Sequence, residues 1–197
     1  MIIIEDLTKK FQKKIVLDSF NLHIEEGTIV HIKGINGCGK TTLLKIIAGL
    51  MKPDGGSIRL SHNVQIGALI ENPSFIENET ILYNMKFLFN LKHHFDYDNV
   101  KKLCEYFYLD IDDKAIMKKY SVGMRQKAGI IQAVMEDQDL ILFDEPTRGL
   151  DQDSMDKFNN LIKTLKNKGK TIIICAHDGV EGIDFDSIHE IKNGKIS

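Results

Sequence analysis

Strand-like and helix-like runs alternate along most of this chain. Residues 140–143 (Leu-Ile-Leu-Phe) and 171–175 are short runs without a charged position, as strands buried on both faces require. Helix-like runs occupy 40–48, 81–91, 99–108, 122–135 and 154–168, and 112–119 is expected to form one more. Gly49 supplies a stop for the first of these, and Thr80 a cap for the second. The alternation predicts an α/β domain with a largely parallel sheet. The N-terminal part reads differently. Runs at 2–7, 20–24 and 28–33 are short, β-rich and closely spaced, with a turn at Glu26-Gly27 before the third. Further strands are expected at 58–60 and 64–70 after the turn Pro53-Asp54-Gly55-Gly56, and a closing hairpin at 187–191 and 195–197 around Asn193-Gly194. The stretch 72–119 reads as a helical subdomain inserted into a core formed by 1–71 and 120–197, the whole making one domain.

Composition narrows the classes. With 197 residues, 43% of them hydrophobic, the chain can build one substantial core. A net charge of −2 lacks the basic footprint of a nucleic-acid binder, so no nucleic-acid partner is expected. The start Met1-Ile2-Ile3-Ile4-Glu5 has no basic leader, and no apolar run approaches the ~18 residues that span a bilayer. Any membrane role would therefore come through a partner. Cys38, Cys104 and Cys175 lack metal-ligand spacing and read as reduced thiols. The lysines at 9, 10, 13, 14, 118 and 119 read as solvated faces.

The pattern Gly-x4-Gly-Lys-Thr spans Gly34 to Thr41, after an apolar strand and at the opening of a helix. Glycines let the backbone turn its N–H groups towards phosphates, and the helix N-terminus adds a favourable dipole. Asn36, Gly37, Cys38, Gly39, Lys40, Thr41 and Thr42 are thus expected to bind a nucleoside triphosphate, with ATP the expected one. Lys40 would neutralise the β- and γ-phosphates, and the Thr41 hydroxyl would ligate Mg²⁺. Cys38 stands where a small residue suffices. The fold class is accordingly a P-loop NTPase core with a mainly parallel sheet, an N-terminal antiparallel β part and the helical subdomain. Asp144-Glu145 ends the apolar strand at 140. A carboxylate there suits Mg²⁺, so Asp144 is a metal candidate, and Glu145 is placed to polarise an attacking water.

The segment Tyr120-Ser121-Val122-Gly123-Met124-Arg125-Gln126, shortly before Asp144-Glu145, resembles the signature motif of ATP-binding cassette (ABC) ATPases; Tyr120 to Met124 stand at the positions of Leu-Ser-Gly-Gly-Gln, with Ser121 and Gly123 matching. The variant resembles the export-type subgroup of bacitracin and lantibiotic-immunity transporters. The resemblance implies that Phe11 stacks on adenine, that Pro146-Thr147-Arg148-Gly149-Leu150-Asp151 is the D-loop with Asp151 its acidic residue, and that His177 is the switch histidine. Glu71 stands where the family usually has a Mg²⁺-ligating glutamine, and is implied as a metal ligand that adds negative charge near the triphosphate.

In that family two subunits pair head to tail, so Ser121 and Gly123 would touch the γ-phosphate of the partner's nucleotide. The resemblance therefore implies an ATPase with ATP and Mg²⁺ as ligands and two partners: a second ATPase subunit and a transmembrane permease. The protein would be cytoplasmic and peripheral on the inner face of the membrane. The other class weighed is a soluble cassette ATPase serving assembly, translation or repair. Translation types usually carry two cassettes in one chain and repair types long coiled coils, and neither is seen in this sequence.

Overall fold

The computed structural model describes residues 2–12 and 14–196. Lys13 of the lysine group and Ser197 of the expected closing strand lie outside them. The described chain forms β1 (Ile2–Phe11), β2 (Lys14–Ile24), β3 (Ile29–Lys33), α1 (Lys40–Ile47), β4 (Gly55–Leu60), β5 (Ile66–Leu69), α2 (Ile81–Phe89) and α3 (Tyr97–Tyr106). These are followed by α4 (Val122–Val134), β6 (Leu140–Asp144), α5 (Gln152–Asn167), β7 (Thr171–Cys175), β8 (Ser187–Lys192) and β9 (Lys195–Ile196).

Two sheets result. One is antiparallel with order β2-β1-β4, and the other has order β5-β6-β7-β3-β8-β9, parallel from β5 to β8 and closed by the antiparallel pair β8–β9. The third N-terminal run, grouped by sequence with its neighbours, instead lies at the centre of the parallel sheet as β3. Its place in the antiparallel sheet is taken by β4, which pairs Ile2 with Leu60 and Ile4 with Ile58. Gly56 makes that pairing possible. Its φ is 76°, and a Cβ there would stand 2.3 Å from the Asp6 carbonyl oxygen.

Every residue of β6 and β7 is buried. Within these strands a period of two persists. Ile141, Phe143, Ile172 and Ile174 join a cluster with α4, α5 and the helices of the 72–119 segment, while Leu140, Leu142, Ile173 and Cys175 face α1 and the antiparallel sheet. The parallel sheet is thus the middle layer, and β3, β6 and β7 end at one edge.

The helix expected at 112–119 is absent; only a single 3-10 turn, Met117–Lys119, is present. Asp110 and Asp113 accept from the backbone N–H groups of Asp112 and Ala115 at 2.9 Å each, which competes with helix formation. The Met117 and Lys118 N–H groups donate instead to the Glu79 and Glu77 carbonyls, 2.9 Å each. α3 begins two residues earlier than expected, because Asp96 caps it by accepting from the Asn99 N–H at 3.0 Å. Lys9 also departs from expectation. It is largely covered, donating to the Lys52 carbonyl and to Asp54.

Candidate functional site

β3 delivers the glycine loop to the edge of the parallel sheet, and α1 leaves from it. Gly34, Gly37 and Gly39 have φ of 153°, 77° and 119°. A side chain at Gly39 would approach within 3.0 Å of the Val16 carbonyl oxygen, so the loop is held close over β2. Gly39 caps α1 without any side-chain acceptor, which leaves the first N–H groups of the helix for a ligand. The Lys40 ammonium is buried. It donates to the Gly34 carbonyl at 2.5 Å and lies 3.7 Å from Glu145 Oε1, so the start of the loop and the end of β6 are tied to one cation. A cleft of about 670 Å³ opens over this loop, lined by Asn36, Gly37, Gly39, Lys40, Thr41 and Thr42 together with Phe11, Glu71, Asp144 and Glu145. Cys38 is half-buried within the loop, is not among the cleft-lining residues, and packs beside Gly34 against the hydrophobic core.

The two carboxylates expected at the end of β6 are brought to the loop. Thr41 Oγ1 donates to Asp144 Oδ2 at 2.6 Å. A hydroxyl and a carboxylate at this spacing offer oxygen ligands of the kind Mg²⁺ takes. Among the described residues no cluster of three His, Cys, Asp or Glu side chains could hold a metal, so an ion here would complete its shell with phosphate and water. Glu145 sits in the left-handed region at φ 47°, unusual for a residue other than glycine. Its N–H donates to the Cys175 carbonyl at 2.8 Å, and its carboxylate accepts from the His177 N–H at 3.4 Å. Glu145 Oε1 is buried and accepts no hydrogen bond. That oxygen has the Lys40 ammonium 3.7 Å away as its counter-charge, while the side chain as a whole lines the cleft. Burial, with Asp144 adding to it, pushes the neighbouring Cys175 thiol far up, so it is protonated and inert.

Phe11 lines the cleft, 44% exposed, with the Lys9 ammonium 5.6 Å from its ring centroid. Glu71 also lines the cleft, with φ 61°, and Lys45 donates to its carboxylate at 2.7 Å. The negative charge expected from Glu71 therefore arrives with its own counter-charge. The His177 side chain is 61% exposed at the strand edge, outside the cleft lining, 3.6 Å from Asp178.

Ser121, Gly123 and Asp151 do not reach the cleft of their own chain. The Ser121 hydroxyl caps α4, accepting from the Met124 N–H at 3.2 Å. Val122 is 68% exposed. Gly123 packs on the D-loop: a Cβ there would stand 2.6 Å from the Gly149 carbonyl oxygen. Asp151 caps α5 through the Ser154 N–H at 2.9 Å. That hydrogen bonding, with Lys127 3.8 Å away, holds its carboxyl below the usual range.

Sequence reasoning gave no role to Gln126. It is buried, and its amide donates to the Glu145 and Pro146 carbonyls at 3.0 and 2.9 Å, tying α4 to the β6 edge. Its signal was a lone polar residue on the apolar face of α4. Asn72 and Ser74, which were not singled out, also line the cleft, as does Arg148 of the 146–151 segment.

A glycine loop between strand and helix, with Thr41, Asp144 and Glu145 converging on it, defines the nucleotide site of a P-loop NTPase. The comparisons with known proteins are more particular. The family model described as ABC transporter matches residues 17–148. The uncharacterized ABC transporter ATP-binding protein YdbJ of Bacillus subtilis is 36% identical over 98% of this chain and 67% of its own length. The bacitracin transport ATP-binding protein BcrA of Enterococcus faecalis is 32% identical over 88% of this chain, which spans only 60% of that relative. A solved dimer of the ATP-binding cassette MJ0796, in a post-hydrolysis state bound to ADP and Pi, superposes with a TM-score of 0.89. It is 25% identical and is covered over 100% of this chain and 97% of that one. The chain belongs to the ABC transporter family, as an ATPase cassette.

Proposed function

We propose that this chain is the ATP-hydrolysing subunit of a membrane exporter, and that two cassettes close head to tail over ATP. The observation that carries the proposal is an imbalance in the monomer. The phosphate loop, Asp144 and Glu145 are assembled in one cleft, whereas Ser121 and Gly123 stand outside it beside an exposed Val122. Such a surface suits a cleft on another cassette, and the MJ0796 cassette was solved as a dimer.

In this reading Phe11 stacks on adenine. Asn36 to Thr42 wrap the phosphates with backbone N–H groups, and Lys40 neutralises the β- and γ-phosphates. Mg²⁺, held by Thr41, Asp144 and Glu71, would supply charge neutralisation at the phosphates. Glu145 accepts a proton from the attacking water, and His177 turns inward to hold that water and the γ-phosphate. Ser121 and Gly123 present the N-terminus of α4 to the partner's γ-phosphate, and Asp151 orders the D-loop beside it. The permease that uses this cycle would sit in the membrane with the cassette on its cytoplasmic side. Among the described residues no helix is long and apolar enough to cross a membrane. The export direction rests on the likeness to the bacitracin-type relatives.

Glu145→Gln tests the reading. Turnover falls about 100-fold or more, because general-base catalysis is removed, while nucleotide binding persists. With MgATP the variant elutes from gel filtration as a dimer, and the chain expressed in cells is recovered with the membrane fraction. A monomer at high concentration would sink self-pairing, and a wholly cytosolic chain would sink the transporter role.

A further inference from the structure

His31 lies in the middle of β3, 3% exposed, and no role in nucleotide chemistry has been given to it above. Its ring stacks on Phe185 with centroids 4.6 Å apart. Its Nε2 stands 3.1 Å from the Ala176 carbonyl oxygen. A carbonyl oxygen only accepts, so the ring must carry its proton on Nε2 and leave Nδ1 bare. Burial pushes the His31 pKa below the ordinary histidine value, with Lys33 and Lys40 acting in the same direction and the bond to Ala176 and Glu181 opposing. The group is a neutral donor in the working pH range.

The peptide that His31 holds is the one that joins Ala176 to His177. Its other end, the His177 N–H, donates to Glu145 Oε2 at 3.4 Å. In a trans peptide the C=O and N–H point in opposite directions. One rigid plane therefore links the buried ring on one side to the cleft carboxylate on the other. Fixing the carbonyl fixes the direction of the N–H, and polarising it strengthens that N–H as a donor.

We infer that His31 is a positioning residue for hydrolysis: by donating to Ala176 it orients the Ala176–His177 peptide, which aims the Glu145 carboxylate and sets the base of the His177 side chain. The inference rests on the proposed roles of Glu145 and His177. The remaining oxygen, Oε1, is buried without a hydrogen bond, 3.7 Å from the Lys40 ammonium. A core histidine retained only for packing would need its ring but not its N–H.

Two variants separate these roles. His31→Phe keeps a ring for Phe185 and loses the donor; His31→Gln loses the ring and keeps an amide donor. We expect kcat for ATP hydrolysis by the purified chain to fall about 5–10-fold in His31→Phe, the size of one lost positioning hydrogen bond. KM for ATP and the affinity for a fluorescent ATP analogue should stay within about twofold. His31→Gln should retain most of kcat. The opposite order, or equal losses in both, overturns the inference, as does wild-type kcat in His31→Phe. Should either variant fold poorly, ¹⁵N spectroscopy of the wild-type ring decides: a neutral ring protonated on Nε2 is expected, and protonation on Nδ1 overturns the inference. Glu145→Gln belongs in the same assay. If it still turns over, the proposed role of Glu145 falls; if it is inactive while His31→Phe is normal, only the role of His31 falls.

Discussion

Two helix N-termini, those of α1 and α4, are finished differently in this cassette. α1 starts from Gly39, which offers no side-chain cap, and its first turn, Lys40 to Thr42, lines the cleft beside the Asp144 and Glu145 carboxylates. α4 starts from Ser121, whose hydroxyl satisfies the Met124 N–H, and Val122 beside it faces solvent. The first terminus is open to a ligand but enclosed by its own chain. The second is satisfied locally, with Ser121 and Val122 exposed and Gly123 packed on Gly149. In the proposed reading, nucleotide binding and completion of the site by a second subunit fall to these two different surfaces.

Lys40→Ala is the hardest blow to the α1 side. Losing a buried, hydrogen-bonded cation costs about 2–5 kcal/mol. Nucleotide titrations should show affinity reduced roughly 30-fold or more. Affinity within about threefold of wild type would remove the loop as the phosphate cradle. Val122→Glu attacks the α4 side. A carboxylate at the first turn agrees with the helix dipole, so the fold should melt as before. Placed against the partner's triphosphate, it should weaken MgATP-driven self-association about tenfold in sedimentation experiments, with monomer nucleotide affinity unchanged. Equal effects on both measurements would erase the distinction between the two termini.

The smallest effect concerns pH. Burial lowers the pKa of both His31 and His189 in the folded chain. A histidine depressed in the native state binds its proton more tightly when unfolded. Its contribution to stability is therefore full above the unfolded value of about 6.5 and is lost as pH falls below it. The thermal midpoint should drop between pH 7.5 and pH 5.5, and His31→Phe should drop less. An identical drop in both proteins would mean that His31 is not held neutral by the fold.

Much of the site was readable because it is written in local pattern. Gly34 to Thr42 must curl wherever they are placed, and Asp144-Glu145 must follow the apolar run of β6. The 112–119 segment misled, because its backbone donors are claimed by Asp110 and Asp113 nearby and by Glu77 and Glu79 more than thirty residues away. The Lys45–Glu71 pair changed the reading of Glu71 in the same way. A carboxylate at the cleft rim reads as added charge until its partner, a turn along α1 from the glycine loop, is seen. Gln126 was hidden by its setting, since a polar residue among the apolar positions of α4 has no meaning until the Glu145 and Pro146 carbonyls are placed beside it.

By itself the sequence determined the α/β class, the strands of the parallel sheet that run without a charged break, and the glycine loop and carboxylates that converge on one cleft. These depend on backbone conformation and side-chain type over a few consecutive residues, where physics is local. The tertiary structure decided which sheet β3 and β4 joined, that Ser121 and Gly123 would lie apart from the cleft of their own chain, and that His31 would hold the peptide before His177. Those are matters of which distant backbone groups meet, and a buried donor or acceptor finds its partner only when the sheet has closed.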